Sequence, residues 1–174
     1  MSNTVRLAMT VRGSEADVRA FIDAFRQGFH GVVPLPPEDC GDVVAPRDWE
    51  HVRIDTWGVK RSPLGMSPMH THFGFTEEPR ATFGFDTDWR VPRPFFAKAS
   101  VAWPSLRFMI SWAEEDREGG RSVWLEGREF PTSVKSPSMA EADAIDDGGE
   151  QWGRARNFFL DEHLEWARLP AGRP

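Results

Sequence analysis

The sequence predicts an α+β fold, and three observations carry that prediction. Segments with the two-residue alternation of half-buried strands are interspersed with stretches whose apolar residues recur at helical spacing. The order of these segments is strand, helix, strand, strand, helix, strand, with one further hairpin strand behind them. The 174 residues also include 13 Phe and eight Trp but no Tyr. Each ring carries roughly 150–250 Å² of mostly apolar surface, so the chain is expected to fold around an aromatic core.

The elements follow in order. Over Thr4–Val11, Val5, Leu7, Met9 and Val11 alternate with Arg6, Ala8 and Thr10, which is the pattern of a half-buried strand. Arg12-Gly13 turns the chain, and Ser14 with Asp17 three residues later forms a capping-box signature. Val18, Phe21, Ile22 and Phe25 then fall at i, i+3, i+4 and i+7, so an amphipathic helix follows, with Gly28 as its stop. The run Val33-Pro34-Leu35-Pro36-Pro37 lacks the backbone donors that regular structure needs, which predicts a Pro-rich loop over 29–47. A short element near Trp49–Trp57 comes next.

Thr71, Phe73 and Phe75 alternate with His72, Gly74 and Thr76, and Ala81, Phe83 and Phe85 alternate with Thr82, Gly84 and Asp86. Glu77-Glu78-Pro79-Arg80 joins these two strands as a hairpin. Pro92 and Pro94 suit a helix start, Phe95–Ala102 continues it, and Trp103-Pro104 ends it. Leu106, Phe108, Ile110 and Trp112 alternate as another strand, Glu114–Gly120 reads as a charged turn, and Ser122–Glu126 pairs back.

This order is that of a ferredoxin-like split βαβ sandwich, an antiparallel sheet with two helices on one face, extended here by an extra hairpin strand and a C-terminal helix. The ferredoxin-like domain spans 1–130. An acidic linker follows over 131–150, where Pro131–Pro137 precedes the run Glu141–Glu150, and 151–174 is a C-terminal helix and tail. Trp152, Ala155, Phe159, His163 and Trp166 form an apolar stripe on that helix, where His163 reads as a packed, hydrogen-bonded histidine. The helix-covered face of the sheet takes Val5, Leu7, Met9, Phe83 and Phe85, leaving Arg6, Ala8, Thr10, Thr82 and Gly84 on the other. Ala8, Gly74, Gly84 and Ser111 are small enough for another element to approach that second face closely, and the terminal helix is the internal candidate.

Composition narrows the function. The net charge, 21 − 27 = −6, disfavours a protein that lives on nucleic-acid phosphates. A single cysteine, Cys40, permits no internal disulfide and no thiolate cluster, and Asp39 and Asp42 beside it disfavour the thiolate of a nucleophile. No run approaches the roughly 18 apolar residues of a membrane span, and Met1–Val11 lacks the features of a signal peptide. The expectation is a cytoplasmic protein without a cofactor.

Several segments resemble a known family. Trp57-Gly58-Val59-Lys60, Phe85-Asp86-Thr87-Asp88-Trp89-Arg90-Val91-Pro92, Trp103-Pro104-Ser105-Leu106-Arg107-Phe108 and Glu118-Gly119-Gly120 look like the YubB ferredoxin-like domain family, also called Api92-like. The resemblance covers about Thr4 to Arg128, with departures at Val59, at Arg90-Val91 and in the His-containing insert between Lys60 and Phe73. It implies a ferredoxin-like fold and an origin on plasmids, phages or other mobile elements. It implies no activity, cofactor or catalytic residue.

The candidate residues have plain chemistry. Asp86 and Asp88, leaving a strand, suit a metal ion or acid/base work. The structural reading is that the Asp-Thr-Asp run bonds nearby backbone N–H groups while Trp89 packs beneath the loop. His70 and His72 share a strand face at metal-ligand spacing, yet a third ligand is not evident. Trp57, Lys60, Asp86, Asp88 and Trp89 are the binding candidates within the domain, and Glu141, Asp143, Asp146 and Asp147 those in the linker, where an acidic surface can mimic phosphate spacing. The resulting expectation is a non-enzymatic protein-interaction module with a protein partner, in its most specific form an acidic inhibitor of host defence. The alternatives are a metal-dependent site from Asp86/Asp88 and His70/His72, and weak nucleic-acid binding on the sheet, where the second face lacks the stacking aromatics of an RNA-binding sheet.

Overall fold

Residues 4–36, 46–63, 66–114, 117–133, 135–137 and 151–168 are described by a computed structural model. β1 (Thr4–Arg12) lies inside a six-stranded sheet with β2 (His70–His72), β3 (Arg80–Asp88), β4 (Arg107–Glu114), β5 (Arg117–Leu125) and β6 (Arg128–Pro131). The spatial order is β2-β3-β1-β4-β5-β6, and every neighbouring pair is antiparallel. Two connections cross over a strand. From β1 the chain passes through α1 (Glu15–Phe25), α2 (Phe29–Val32) and α3 (Pro46–Trp57) to β2, leaving β3 between them. From β3 it passes through α4 (Arg93–Ala102) to β4, with β1 between.

The apolar periodicity is realised as read. Val5, Leu7, Met9 and Val11 are fully or almost fully buried with Phe83, Phe85, Phe108 and Ile110, against Val18, Phe21, Ile22 and Phe25 of α1 and Phe95 and Phe96 of α4. The rings interlock: Phe25 meets Phe83 edge-on at 4.9 Å between centroids, and Phe29 stacks on Phe95 at 4.0 Å. Such pairs add about 0.5–1.5 kcal/mol to the area they bury. α1 starts as its sequence dictates, with the Ser14 hydroxyl accepting from Asp17 N at 3.2 Å and donating to Asp17 Oδ2 at 2.6 Å. That hydroxyl, with Ser105 adding to it, holds the Asp17 carboxyl below its ordinary pKa.

Four features depart from the sequence reading. The sheet has six strands, because Arg128–Pro131, where no strand was expected and whose last residue was to begin the linker, pairs with β5 as β6. β5 begins at Arg117, inside the expected charged turn, since the β4–β5 ladder continues past a bulge between Trp112 and Glu114. Gly120 permits this: a Cβ there would stand 2.3 Å from the Trp112 ring. β2 ends at His72, because Phe73 packs against the helix-side core with the Arg19 guanidinium 4.1 Å from its ring, while Phe75, expected to share its face, is fully exposed.

The fourth departure lies in the expected Pro-rich loop over 29–47, where Phe29–Val32 forms α2, with Phe29 and Val32 buried in the core, and Pro46 opens α3. In the layers α1 and α4 cover one face of the sheet, as read, and α5 (Gln151–Arg168) covers the other, the face for which the terminal helix was the internal candidate. Phe159 and Leu160 pack on Ala8 and Ala113, and Trp166 and Ala167 pack on Met109. The chain is thus an α+β fold with helices on both sides of an antiparallel sheet. No helix among the described residues is long and apolar enough to cross a membrane.

Candidate functional site on the polar face of the sheet

Strand register sets out the polar face in rows. Ala8 lies between Gly84 and Ser111, with Arg121 beyond; Thr10 lies between Thr82 and Met109, with His70 beyond Thr82; Arg12 lies between Arg80 and Arg107, with His72 beyond Arg80. Alternation puts these side chains on one side of the pleat. Small residues in the first row let α5 settle close to the sheet, and this closeness buries polar groups that would otherwise be solvated. Arg6, Thr10, Arg12, Thr82, Ser111 and Arg121 are all buried.

Buried polar groups need partners, and the helix supplies those of Thr10, Ser111, Arg12 and Arg121. His163 of α5 is completely buried, with Nε2 2.9 Å from Thr10 Oγ1 and Nδ1 2.7 Å from Ser111 Oγ. Thr10 Oγ1 is in turn 2.7 Å from Thr82 Oγ1, which makes a four-residue chain of hydrogen bonds across three strands and a helix. In the neutral ring one nitrogen donates and the other accepts, and a hydroxyl can answer either role. Burial lowers the His163 pKa to about 3, with the neighbouring Arg121 guanidinium adding to the effect.

Two arginines fasten the ends of the helix contact. Arg12 Nη1 donates to Ala167 O at 3.0 Å in the last turn of α5, while its Nε lies 3.0 Å from Glu78 Oε2. Arg121 donates to Glu162 O at 3.2 Å, and its guanidinium sits 5.4 Å from the Trp166 ring centre. Desolvation lowers the pKa of both guanidinium groups.

Beside this network lies a pocket of about 110 Å³, lined by His70, Thr71, His72, Arg80, Thr82, Leu164 and Arg168. Thr82 belongs to both the lining and the hydrogen-bond chain. The His72 Nε2 is buried without a hydrogen-bond partner among the described residues.

The sequence-derived candidates are distributed otherwise. Trp57 is buried and its indole N–H donates to Val33 O at 2.8 Å. Gly58 ends α3 at φ 85°, with its N–H bonded to Ile54 O and no room for a Cβ beside Pro94, and Lys60 reaches back to Glu50 at 2.6 Å. That ammonium holds the Glu50 carboxyl below its ordinary pKa. The Trp-Gly-Val-Lys segment therefore builds a helix terminus. Asp86 lies 3.8 Å from Arg6 Nε and Asp88 lies 3.9 Å from Arg61 Nε. Thr87 donates to Arg90 O at 3.0 Å, a carbonyl where an N–H donor was expected. Trp89, expected beneath the loop, is instead 55% exposed at φ 71°.

The register also separates the two halves of the metal reading. His70 pairs with Thr82 and His72 with Arg80, so Asp86 is four residues farther along β3 than the nearer pairing position, about 13 Å at strand rise. Among the described residues no three His, Cys, Asp or Glu side chains come together to hold a metal ion. Glu141, Asp143, Asp146 and Asp147 lie outside the described residues, as does Cys40.

Sequence reasoning anticipated a satisfied His163 and small residues beneath a helix, but it missed Thr10, Ser111, Arg12 and Arg121 as partners. Alternation already placed Thr10 and Ser111 beside small residues on the second face; their contact with His163 spans 153 and 52 positions, which no local pattern encodes. The chain matches no family model, no curated protein and no solved structure.

Proposed function

We propose that this chain is a non-enzymatic protein-interaction module built on a ferredoxin-like core. The order β2-β3-β1-β4 with its two crossovers supports that core, and β5, β6 and α5 are additions to it. The observation that carries the functional reading is Trp89, a large aromatic held exposed in left-handed backbone at the end of β3. A bulky residue at positive φ is strained, and strain of that kind persists where surrounding structure enforces it, often at functional positions. Trp is also the residue type most enriched among the anchors of protein interfaces. Of the polar groups suited to chemistry, by contrast, His163 has both ring nitrogens on hydroxyls inside the fold, and Asp86 and Asp88 face arginines nearer the surface.

The more specific form is a mobile-element inhibitor of a host defence protein, in which the acidic run Glu141–Glu150 competes for a nucleic-acid groove. The negative net charge and the YubB-like segments support it. Capture of tagged protein from nuclease-treated host lysate, with identification of what co-purifies, tests both forms. A stoichiometric partner lost on Trp89→Ala supports the module. Loss on neutralising Glu141, Asp143, Asp146 and Asp147 supports the acidic form. A chain that comes out alone overturns the reading.

A further inference from the structure

The pocket beside the His163 network has a lining whose chemistry selects for charge. Arg80 and Arg168 bring two guanidinium groups to the lining and His70 and His72 two imidazoles, while Thr71 and Thr82 also line it, the Thr82 hydroxyl being bonded to Thr10. Two fixed positive charges repel a metal ion, which argues against reading the His-x-His pair as a metal site. The same groups are the usual donors to an oxyanion, and a guanidinium fork matches two oxygens of a phosphate or carboxylate at once.

A carboxylate beside the pocket is Glu77, whose Oε2 is 2.6 Å from Arg80 Nη1, while its neighbour Glu78 is turned to Arg12 and Arg107. An arginine has five N–H donors, so this pair leaves Arg80 with donors to offer. The C-terminal carbonyls of α5, which would repel an anion, are partly answered because Arg12 donates to Ala167 O. His72, which lines the pocket, has a buried Nε2 beside Gly74 with no hydrogen-bond partner among the described residues, and such a group calls for one.

Size narrows the ligand further. A volume near 110 Å³ exceeds the roughly 10–15 Å³ that one water requires, and it falls well short of the ~300–1,000 Å³ of sites that enclose drug-sized molecules. It suits a tetrahedral oxyanion with anything attached to it left outside. We propose that the pocket between β2, β3 and the last turns of α5 binds a phosphate group. Because Leu164 and Arg168 come from the helix and the other lining residues from the sheet, a bound phosphate bridges the two and fastens α5 in place.

The test is calorimetric titration and thermal unfolding of the full chain with inorganic phosphate, against chloride at equal ionic strength. Saturable heat and a melting temperature that rises with phosphate but not with chloride are expected. Arg168 is exposed, so Arg168→Gln keeps the fold, as circular dichroism would verify; it should weaken binding by about tenfold or more, as should His72→Gln. Glycerol phosphate separates the sources: binding as tight as inorganic phosphate supports a phosphomonoester, and weaker binding supports the free ion. Equal effects of phosphate and chloride, or unchanged affinity in both variants, overturn the proposal. So does stoichiometric zinc binding that disappears in the double variant His70→Ala, His72→Ala.

Discussion

The two faces of the sheet are buried to a similar depth by different means. On the α1/α4 face, Phe21, Phe25, Phe29, Phe83 and Phe95 fill the space with hydrocarbon alone. On the α5 face, Thr10, Thr82, Ser111, Arg12, Arg121 and His163 are equally withdrawn from water, and each depends on a partner placed within hydrogen-bond reach. Apolar packing is non-directional and tolerates small errors of position. A buried polar seam is favourable only when every member is satisfied, so it fixes the helix in one register and angle. The comparison suggests that the aromatic face supplies most of the stability and the polar face decides where α5 docks.

The largest effect should come from the aromatic side. Phe25 is fully buried and touches five other rings, Phe21, Phe29, Phe83, Phe85 and Phe95. Phe25→Ala should cost about 3–5 kcal/mol in denaturant unfolding, a large share of a typical domain's stability. A loss below 1 kcal/mol would show that this face is not the main source of cohesion.

The polar side should respond less, and in a way that reveals its logic. His163→Leu removes the partner of Ser111 and one partner of Thr10, at an expected cost of about 1–3 kcal/mol. Replacing the whole chain of groups, with Thr10→Val, Thr82→Val and Ser111→Ala added to His163→Leu, should recover part of that loss, since apolar groups leave nothing unsatisfied. A quadruple variant less stable than the single one would mean that the seam stabilises as well as positions.

Acid should also act through this face. The His163 pKa is about 3 in the folded chain against an ordinary value of 6.5, so between those values the unfolded chain binds the extra proton. Stability from this group is complete above pH 6.5 and falls as pH drops toward 3, by at most about 1.4 kcal/mol per pH unit. Carboxylates such as Asp17, Glu50 and Glu77, whose pKa values are also lowered, add losses of the same sign near and below their ordinary values. The difference between the wild type and His163→Leu isolates the histidine: the variant's stability should be flatter between pH 6.5 and 4.5. Parallel curves would refute the assignment.

The same contrast explains what was legible in the sequence. Val5, Leu7, Met9 and Val11 announce a strand and a face because hydrophobic burial follows local periodicity, and α1 was readable from Ser14 to Phe25 for the same reason. β6 was not, since Arg128-Glu129-Phe130-Pro131 has no alternation and pairs only because β5 offers an edge. The polar face was half legible. Its small residues implied a close neighbour, and its hydroxyls gave no sign of which helix would meet them. Of the residues proposed as sites, Trp57 and Lys60 were conspicuous in sequence for reasons of folding: a buried indole, a left-handed glycine and an ion pair close α3.

Trp89 belongs to neither face, and it gives the smallest and most discriminating stability change. Its backbone sits at φ 71°, where glycine is at ease and a side chain with a Cβ is not, and 55% of its surface is exposed. Removing the ring therefore gives up only the covered part of its surface, while glycine relieves the backbone. Trp89→Gly should leave stability unchanged or raise it by less than about 1 kcal/mol, glycine's extra freedom in the unfolded chain offsetting part of the relief. If Trp89 anchors a partner, the same variant should lose that partner in capture while its unfolding midpoint holds or rises. A clear fall in midpoint would return Trp89 to the structural role that its sequence position suggested, and the contrast between two cohesive faces and one exposed anchor would fail.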